Sequence, residues 1–283
     1  MTQESQYPAS TQKLLANLGA LTNMMRRVAV EAGEITLKYF DMPCGEEAKA
    51  DGSPVTLADR ETEVFIIEKI TAITAGIPIV GEESVSLGTA DNIKGHDYFW
   101  LLDPLDGTKE FISGGGDYTV NIALIHNGTP ILGVVYAPVK GELYAGYTEK
   151  DGTRKAIRWV EETDTEKEIS VRPYPIQGLT VVASKSHGDT NRLDTFLEQF
   201  KVEKLVKRGS SLKIAIIAAA KADMYPRFGP TCEWDTAAGD AVLRAAGGFV
   251  TDCDGKALTY GGSNEKWLNS EFIASSFEWW GED

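Results

Sequence analysis

The chain has 283 residues, 42% apolar and 25% charged, and 42 Asp and Glu against 28 Lys and Arg leave a net charge of −14. This length and apolar content suffice for the packed core of one large domain or two medium ones, and they exclude a disordered chain. The acidic surplus argues against a nucleic-acid polymer as partner, because phosphate backbones need an excess of Lys and Arg. Two explanations of the surplus remain: an acidic, soluble surface, or carboxylates gathered to bind cations.

The N-terminal segment MTQESQYPAS has neither a basic start nor an apolar core, and no stretch reaches the ~18 apolar residues of a membrane span. Cys44, Cys232 and Cys253 lack CxxC spacing, which argues against a disulfide framework or a zinc site. We therefore expect a cytoplasmic protein in which any metal is held by oxygen ligands. Peripheral attachment to the inner membrane and the oligomeric state stay open.

In chain order, the first predicted element is one long amphipathic helix, because apolar residues from Leu14 to Tyr39 recur at steps of four and three. Asp59 opens a second helical pattern. Its predicted apolar face consists of Val64, Ile67, Ile70 and Ile73. GIPIVGEES predicts a short buried strand that ends in acidic residues, and YFWLLDPLDG predicts a buried strand that ends at Asp103 and Pro104.

Antiparallel strands are predicted next, since YTVNIALIHNG and PILGVVYAPV flank an Asn-Gly hairpin signal and GELYAGYT follows them. The charged segment 149–169 predicts a hinge or a sheet edge. Beyond it, strands alternate with helices, as in WDTAAGDAVLRAAG followed by GFVTDCDG. We expect an antiparallel-rich α+β subdomain over 1–150 that binds metal, and an α/β subdomain over 151–283 that contributes Asp235 and the nucleotide-binding side.

The segment DPLDGT places two carboxylates, Asp103 and Asp106, three residues apart after a buried strand. Pro104 breaks the strand and Gly107 permits close backbone approach. Carboxylates forced together repel each other unless a cation lies between them. The same residue types dominate ordinary turns, so a structural interpretation stays open. Asp235, in the position expected of a helix N-cap, has the same structural alternative.

Three segments, GEES (81–84), WLLDPLDGTKEF (100–111) and WDTAAGDAV (234–242), resemble the signature segments of the inositol monophosphatase superfamily of Mg²⁺-dependent, lithium-sensitive phosphatases. Within it, DPLDGTKEF, GSSLK (209–213) and YPRFGPTCEWDTAAGDAV are similar to the CysQ-type 3′(2′),5′-bisphosphate nucleotidases. The resemblance runs in the family's order to about residue 260. It implies a mixed α/β (α+β) fold, a layered αβαβα sandwich.

The resemblance also implies a set of site residues. Two or three Mg²⁺ ions would be held by Glu82, Asp103, the Leu105 carbonyl, Asp106 and Asp235. Asp59 and Thr108 would activate the attacking water. The substrate would be contacted by Glu82, Leu105, Asp106, Gly107, Thr108, Ser184, His187, Ser210, Lys213, Arg227 and Asp235.

The implied reaction removes the 3′-phosphate of adenosine 3′,5′-bisphosphate to give AMP and phosphate, and extends to the sulfated form, PAPS, in sulfate assimilation. Two alternatives stay open: an inositol- or sugar-monophosphatase of the same superfamily, and a non-catalytic module that binds bisphosphorylated nucleotides. Lys213 and Arg227 favour a nucleotidase over a monophosphatase, because they offer charges for a second phosphate. The complete set of acidic positions, together with Thr108, favours an enzyme over a binding module.

Overall fold

A computed structural model describes residues 6–40, 47–48, 54–184, 190–262 and 266–281. The helices are α1 (Ala9–Leu15), α2 (Leu18–Phe40), α3 (Leu57–Ile73), α4 (Glu82–Ser86), α5 (Thr108–Ile112), α6 (Thr190–Leu197), α7 (Leu212–Ala218) and α8 (Trp234–Ala245). The strands are β1 (Glu47–Ala48), β2 (Pro54–Val55), β3 (Ile79–Gly81), β4 (Tyr98–Asp106), β5 (Thr119–His126), β6 (Thr129–Ala137), β7 (Glu142–Thr148), β8 (Arg154–Val160), β9 (Thr165–Glu168), β10 (Leu179–Ser184), β11 (Val202–Arg208), β12 (Met224–Arg227), β13 (Phe249–Asp252) and β14 (Phe272–Ser275).

The larger sheet has the strand order β3-β4-β5-β6-β7-β8-β9, with β3 parallel to β4 and the remaining neighbours antiparallel. The predicted hairpin between β5 and β6 is confirmed: Asn127 and Gly128 have φ of 48° and 77°, as a type I′ turn requires. The charged segment 149–169 supplies β8 and β9, which lie at one edge of this sheet. The division at residue 150 stays a prediction, and the sheet continues beyond it to Glu168.

The smaller sheet has the strand order β11-β10-β12-β14-β13, in which β10 is parallel to β11 and β12. The other pairings, β12 with β14 and β13 with β14, are antiparallel. Strand β14 is absent from the predicted elements, because its four residues FIAS are all buried and show no alternation of apolar and polar side chains.

The layers follow from which helices cover which sheet face. Helices α2 and α3 pack on one face of the larger sheet, and α7 and α8 fill the space between the two sheets. Helix α6 brings Phe196 against the outer face of the smaller sheet. An added Cβ at Gly133 in β6 would lie 2.2 Å from the Ala238 carbonyl oxygen, so this glycine lets α8 approach the sheet. The mixed α/β class and the αβαβα layering are confirmed.

Two details of the predicted helices are wrong. The single N-terminal helix is interrupted after Leu15, where the Asn17 side chain accepts a hydrogen bond from the Ala20 amide. In α3 the predicted apolar face is also wrong at Val64, which is 57% exposed. The interior face of α3 instead carries buried acidic side chains, which a search for apolar periodicity does not register. Within the described ranges, none of the helices has the combined length and apolar character to cross a bilayer.

Candidate active site

A bulge in strand β4 brings Asp103 and Asp106 to the same face of the sheet. Asp103 pairs with Asn121 and Asp106 with Thr119, so three steps along β4 match two along β5. Residues three apart in a regular strand point to opposite faces, and one inserted residue restores the same face. The predicted end of the strand at Asp103 and Pro104 is therefore wrong, because β4 absorbs Pro104 in the bulge and continues to Asp106.

Asp235 joins these two carboxylates from helix α8. One ligand oxygen of each of Asp103, Asp106 and Asp235 lies within 4.8 Å of the others. Asp235 lies in the first turn of α8 and not at the predicted N-cap, a position that Glu233 occupies. The Asp235 carboxylate accepts a hydrogen bond of 2.8 Å from the Cys232 amide, which fixes it at the start of the helix.

The electrostatics of this cluster favour a bound cation. Burial raises the pKa of Asp103 well above its usual value, and the charges of Glu82, Asp106 and Asp235 raise it further. Burial likewise raises the pKa of Asp235, with Asp106 and Glu82 adding to the rise. Carboxylates held this close stay ionised at neutral pH only when positive charge compensates their repulsion. An all-oxygen donor set fits Mg²⁺, so these residues suit the metal that the sequence implies.

Ser211, absent from the predicted site, holds the cluster together. Its amide and its hydroxyl both donate to Asp106 Oδ2, the hydroxyl at 2.6 Å, and the hydroxyl also lies 2.6 Å from the Asp235 carbonyl oxygen. Asn121, a residue of strand β5, donates from Nδ2 to Ser211 Oγ at 2.8 Å. The segment GSSLK contains two serines, Ser210 and Ser211, and nothing in the local sequence indicates which of them contacts the carboxylates. The left-handed φ of 51° at Ser210 turns the chain so that the second serine faces Asp106.

Asp59 and Thr108 meet although 49 residues separate them. Thr108 Oγ1 lies 3.1 Å from Asp59 Oδ1 and 3.3 Å from the Leu105 carbonyl oxygen. The other Asp59 oxygen, Oδ2, accepts from the amide and hydroxyl of Thr56, the N-cap of α3, at 2.8 and 2.7 Å. Asp59 is 1% exposed, so its carboxylate is held rigidly from the first turn of the helix.

Two buried cations, Lys213 and Arg227, also line the pocket, and we call the part that they form its cationic side. Lys213 Nζ donates to the Ser210 carbonyl at 2.6 Å and lies 5.4 Å from the ring centre of Tyr225. Arg227 Nη2 donates to the Pro230 carbonyl at 3.0 Å. Burial lowers the pKa of Lys213, an effect that Asp106 opposes. Both cations are buried, and each donates to a backbone carbonyl oxygen.

The structure brings most of the predicted site residues to one cavity of about 290 Å³. Its lining includes Glu82, Asp103, Leu105, Asp106, Gly107, Thr108, Ser184, Ser210, Lys213, Arg227 and Asp235. Asp59 contacts the pocket through Thr108. His187 and Cys44 lie outside the described residues.

The layered fold and the acidic pocket are those of a phosphatase family: the model of the inositol monophosphatase family matches residues 17–281, and the chain belongs to this family. Within it, the chain is 42% identical to the 3′(2′),5′-bisphosphate nucleotidase CysQ of Escherichia coli O6:H1, over 89% of this chain and 98% of the relative. The CysQ crystal structure from Bacteroides thetaiotaomicron is similar with 34% identity and a TM-score of 0.73, covering 92% of this chain and 98% of that one. The extragenic suppressor protein suhB of Bartonella henselae has 25% identity and a TM-score of 0.70, over 90% and 93% of the two chains.

Proposed function

We propose that the protein is a Mg²⁺-dependent 3′(2′),5′-bisphosphate nucleotidase that converts adenosine 3′,5′-bisphosphate and water to AMP and phosphate. The observation that carries the proposal is a single pocket that joins a carboxylate cluster to two buried cations, Lys213 and Arg227. The cluster suits the metal ions that a reacting phosphate needs, and the cations suit a second phosphate. The similarity to nucleotidases named CysQ supports the same activity.

Two or three Mg²⁺ ions would be held by Glu82, Asp103, Asp106, Asp235 and the Leu105 carbonyl. When bound, Mg²⁺ supplies positive charge that neutralises phosphoryl oxygens and makes water more acidic. The chain's own contribution to the chemistry is the pair of Thr108 and Asp59. By donating to Asp59 Oδ1, the Thr108 hydroxyl keeps its lone pairs for a proton of the attacking water. The water proton can then pass to Thr108 Oγ1 as the Thr108 proton passes to Asp59. The water oxygen forms a bond to phosphorus, the bond between phosphorus and the 3′-oxygen breaks, and the leaving 3′-oxygen takes a proton from solvent.

The substrate's second phosphate would bind Lys213 and Arg227, with Ser184 and Ser210 lining the same pocket. A charge-assisted hydrogen bond to phosphate contributes about twice as much as a neutral one. These contacts would orient the 3′-phosphate toward the carboxylate side and select against monophosphates. His187 is a further proposed contact. A role in sulfate assimilation, action on PAPS, inhibition by Li⁺ and a cytoplasmic location are part of the same proposal.

A phosphate-release panel tests the proposal. Adenosine 3′,5′-bisphosphate, inositol 1-phosphate and fructose 1,6-bisphosphate are compared at equal concentration with Mg²⁺, with and without EDTA. We expect the bisphosphorylated nucleotide to give the highest kcat/KM and EDTA to abolish release. A large preference for inositol 1-phosphate would overturn the substrate assignment, and nucleotide binding without phosphate release from any compound would indicate a binding module.

A further inference from the structure

Glu63 is a buried carboxylate that lies outside the pocket lining and has no part in the proposed chemistry. It belongs to α3 and is only 2% exposed. Its two oxygens accept hydrogen bonds from the amides of Glu83 and Ser84, at 2.8 and 2.7 Å, and from the Ser84 hydroxyl. Each of the two carboxylate oxygens therefore serves as the acceptor for one backbone amide.

The amides that Glu63 binds belong to the first turn of α4. The first amides of a helix have no partner within the helix and need an acceptor from elsewhere. Gly81, at the N-cap of α4, has no side chain to supply one. A Cβ built on Gly81 would lie 2.4 Å from Glu63 Cδ, so the glycine gives the carboxylate room to approach. A residue of α3 thereby caps α4.

Helix α4 begins with Glu82, the residue immediately before the amides that Glu63 holds. Glu82 lines the pocket and has the largest effect of the neighbouring charges on Asp103. Glu63 lies four residues after Asp59, one turn along the same face of α3. One rigid helix therefore holds both the Asp59–Thr108 pair and the backbone that presents Glu82 to the carboxylate cluster.

We infer that Glu63 is a positioning residue for the metal site, acting through the start of α4 to hold Glu82 toward Asp103. The inference rests on the proposed function, in which Glu82 is a metal ligand. Residues that orient metal ligands change metal affinity about 10- to 100-fold when replaced. A cap that only stabilises the fold would lower the melting temperature and leave metal binding by the folded protein unchanged.

Glu63→Gln separates these two roles. The glutamine keeps the size of the side chain but replaces one acceptor oxygen with an NH₂ group facing an amide donor. We expect the binding of Mn²⁺, measured by electron paramagnetic resonance, and of Mg²⁺, measured by calorimetry, to weaken about tenfold at temperatures well below the melting temperature. The lost turnover should return at saturating Mg²⁺. Glu61→Gln, on the exposed face of the same helix, is the matched control and should bind metal as the wild type does.

If folded Glu63→Gln binds metal as tightly as the wild type, the inference about Glu63 is overturned and the proposed function is not. If the wild type itself shows no saturable metal binding, both the inference and the proposed function are overturned. Should Glu63→Gln not fold, Ser84→Ala decides, because it removes one hydroxyl donor and leaves both amides in place. We expect Ser84→Ala to weaken Mn²⁺ binding about two- to threefold, about half a kcal/mol. Unchanged Mn²⁺ binding by Ser84→Ala would then overturn the inference.

Discussion

The two sides of the pocket are built differently. On the carboxylate side, Asp59, Asp106 and Asp235 each accept a hydrogen bond from a backbone amide, so their oxygens are fixed against a rigid frame. On the cationic side, the long side chains of Lys213 and Arg227 donate to backbone carbonyl oxygens, at 2.6 and 3.0 Å. The contrast fits two tasks: catalysis needs fixed geometry at the reacting phosphate, whereas recognition of a second phosphate needs charge within reach.

The largest effect that this contrast predicts is at Asp106. Asp106→Asn removes one charge from the cluster and replaces an oxygen acceptor of Ser211 with an amide. Metal charge stabilises the transition state by several kcal/mol, so we expect kcat to fall at least about 1,000-fold. The far-UV spectrum should be unchanged, because the exchange keeps the shape of the side chain.

Phosphate release under saturating Mg²⁺ measures the Asp106→Asn effect. Asp194→Asn, an exposed aspartate on α6, serves as the control and should keep wild-type kcat. An Asp106→Asn enzyme with near-normal kcat would contradict the assignment of the carboxylates as metal ligands.

Asp59→Asn should have the next largest effect on kcat. Asn cannot accept both from Thr108 and from the Thr56 amide and hydroxyl, so either the proton acceptor or the helix cap is lost. We expect kcat to fall about 100-fold or more with little change in Mg²⁺ affinity. Single-turnover phosphate release and calorimetric Mg²⁺ titration measure the two quantities. An equal loss of both would move Asp59 from proton acceptor to metal ligand.

On the carboxylate side, the sequence predicts which residues take part but not how the fold brings them together. Short motifs point to the carboxylates, because Asp103 and Asp106 lie in one segment and Glu82 follows a predicted buried strand. The strand is predicted to end in the acidic residues, whereas β3 ends at Gly81 and Glu82 begins α4. The bulge that places Asp103 and Asp106 on one face of the sheet cannot be predicted from the sequence, because it depends on how β4 pairs with β5. The role of Ser211 cannot be predicted from the sequence for a similar reason. Its partners Asp106 and Asn121 are about 100 residues away along the chain, and only the packing of the layers brings them into contact with Ser211.

On the cationic side, Lys213→Ala should raise the KM for adenosine 3′,5′-bisphosphate about 10- to 100-fold, as expected for one charged hydrogen bond of ~1.5–3 kcal/mol. The KM for a nucleoside monophosphate should change little. Burial lowers the pKa of Lys213 below the ordinary lysine value of 10.5, so its charge is lost earlier as the pH rises. The wild-type KM for the bisphosphate should therefore increase in the alkaline range, and that increase should be smaller in Lys213→Ala.

Steady-state kinetics across pH with both substrates measure the Lys213 effect. Lys204→Ala, an exposed lysine of β11, is the charge-matched control and should leave both KM values unchanged. Equal increases in KM for the bisphosphate and the monophosphate would show that Lys213 does not recognise the second phosphate, and would weaken the functional distinction between the two sides of the pocket.

Among the residues that line the pocket, the smallest effect is expected at Ser211, which contacts both Asp106 and Asp235. Ser211→Ala removes the hydroxyl but keeps the amide that donates to Asp106, so Mg²⁺ affinity should fall only about tenfold. Asn121 contacts Asp106 through that hydroxyl, and its own replacement by Ala should act by the same route. In a double-mutant cycle, Asn121→Ala should therefore weaken Mg²⁺ binding less in the Ser211→Ala background than in the wild type. Additive effects in calorimetric titrations would show that Asn121 and Ser211 support the carboxylates independently of each other. The contacts around the carboxylates would then be separate and would not form a connected network.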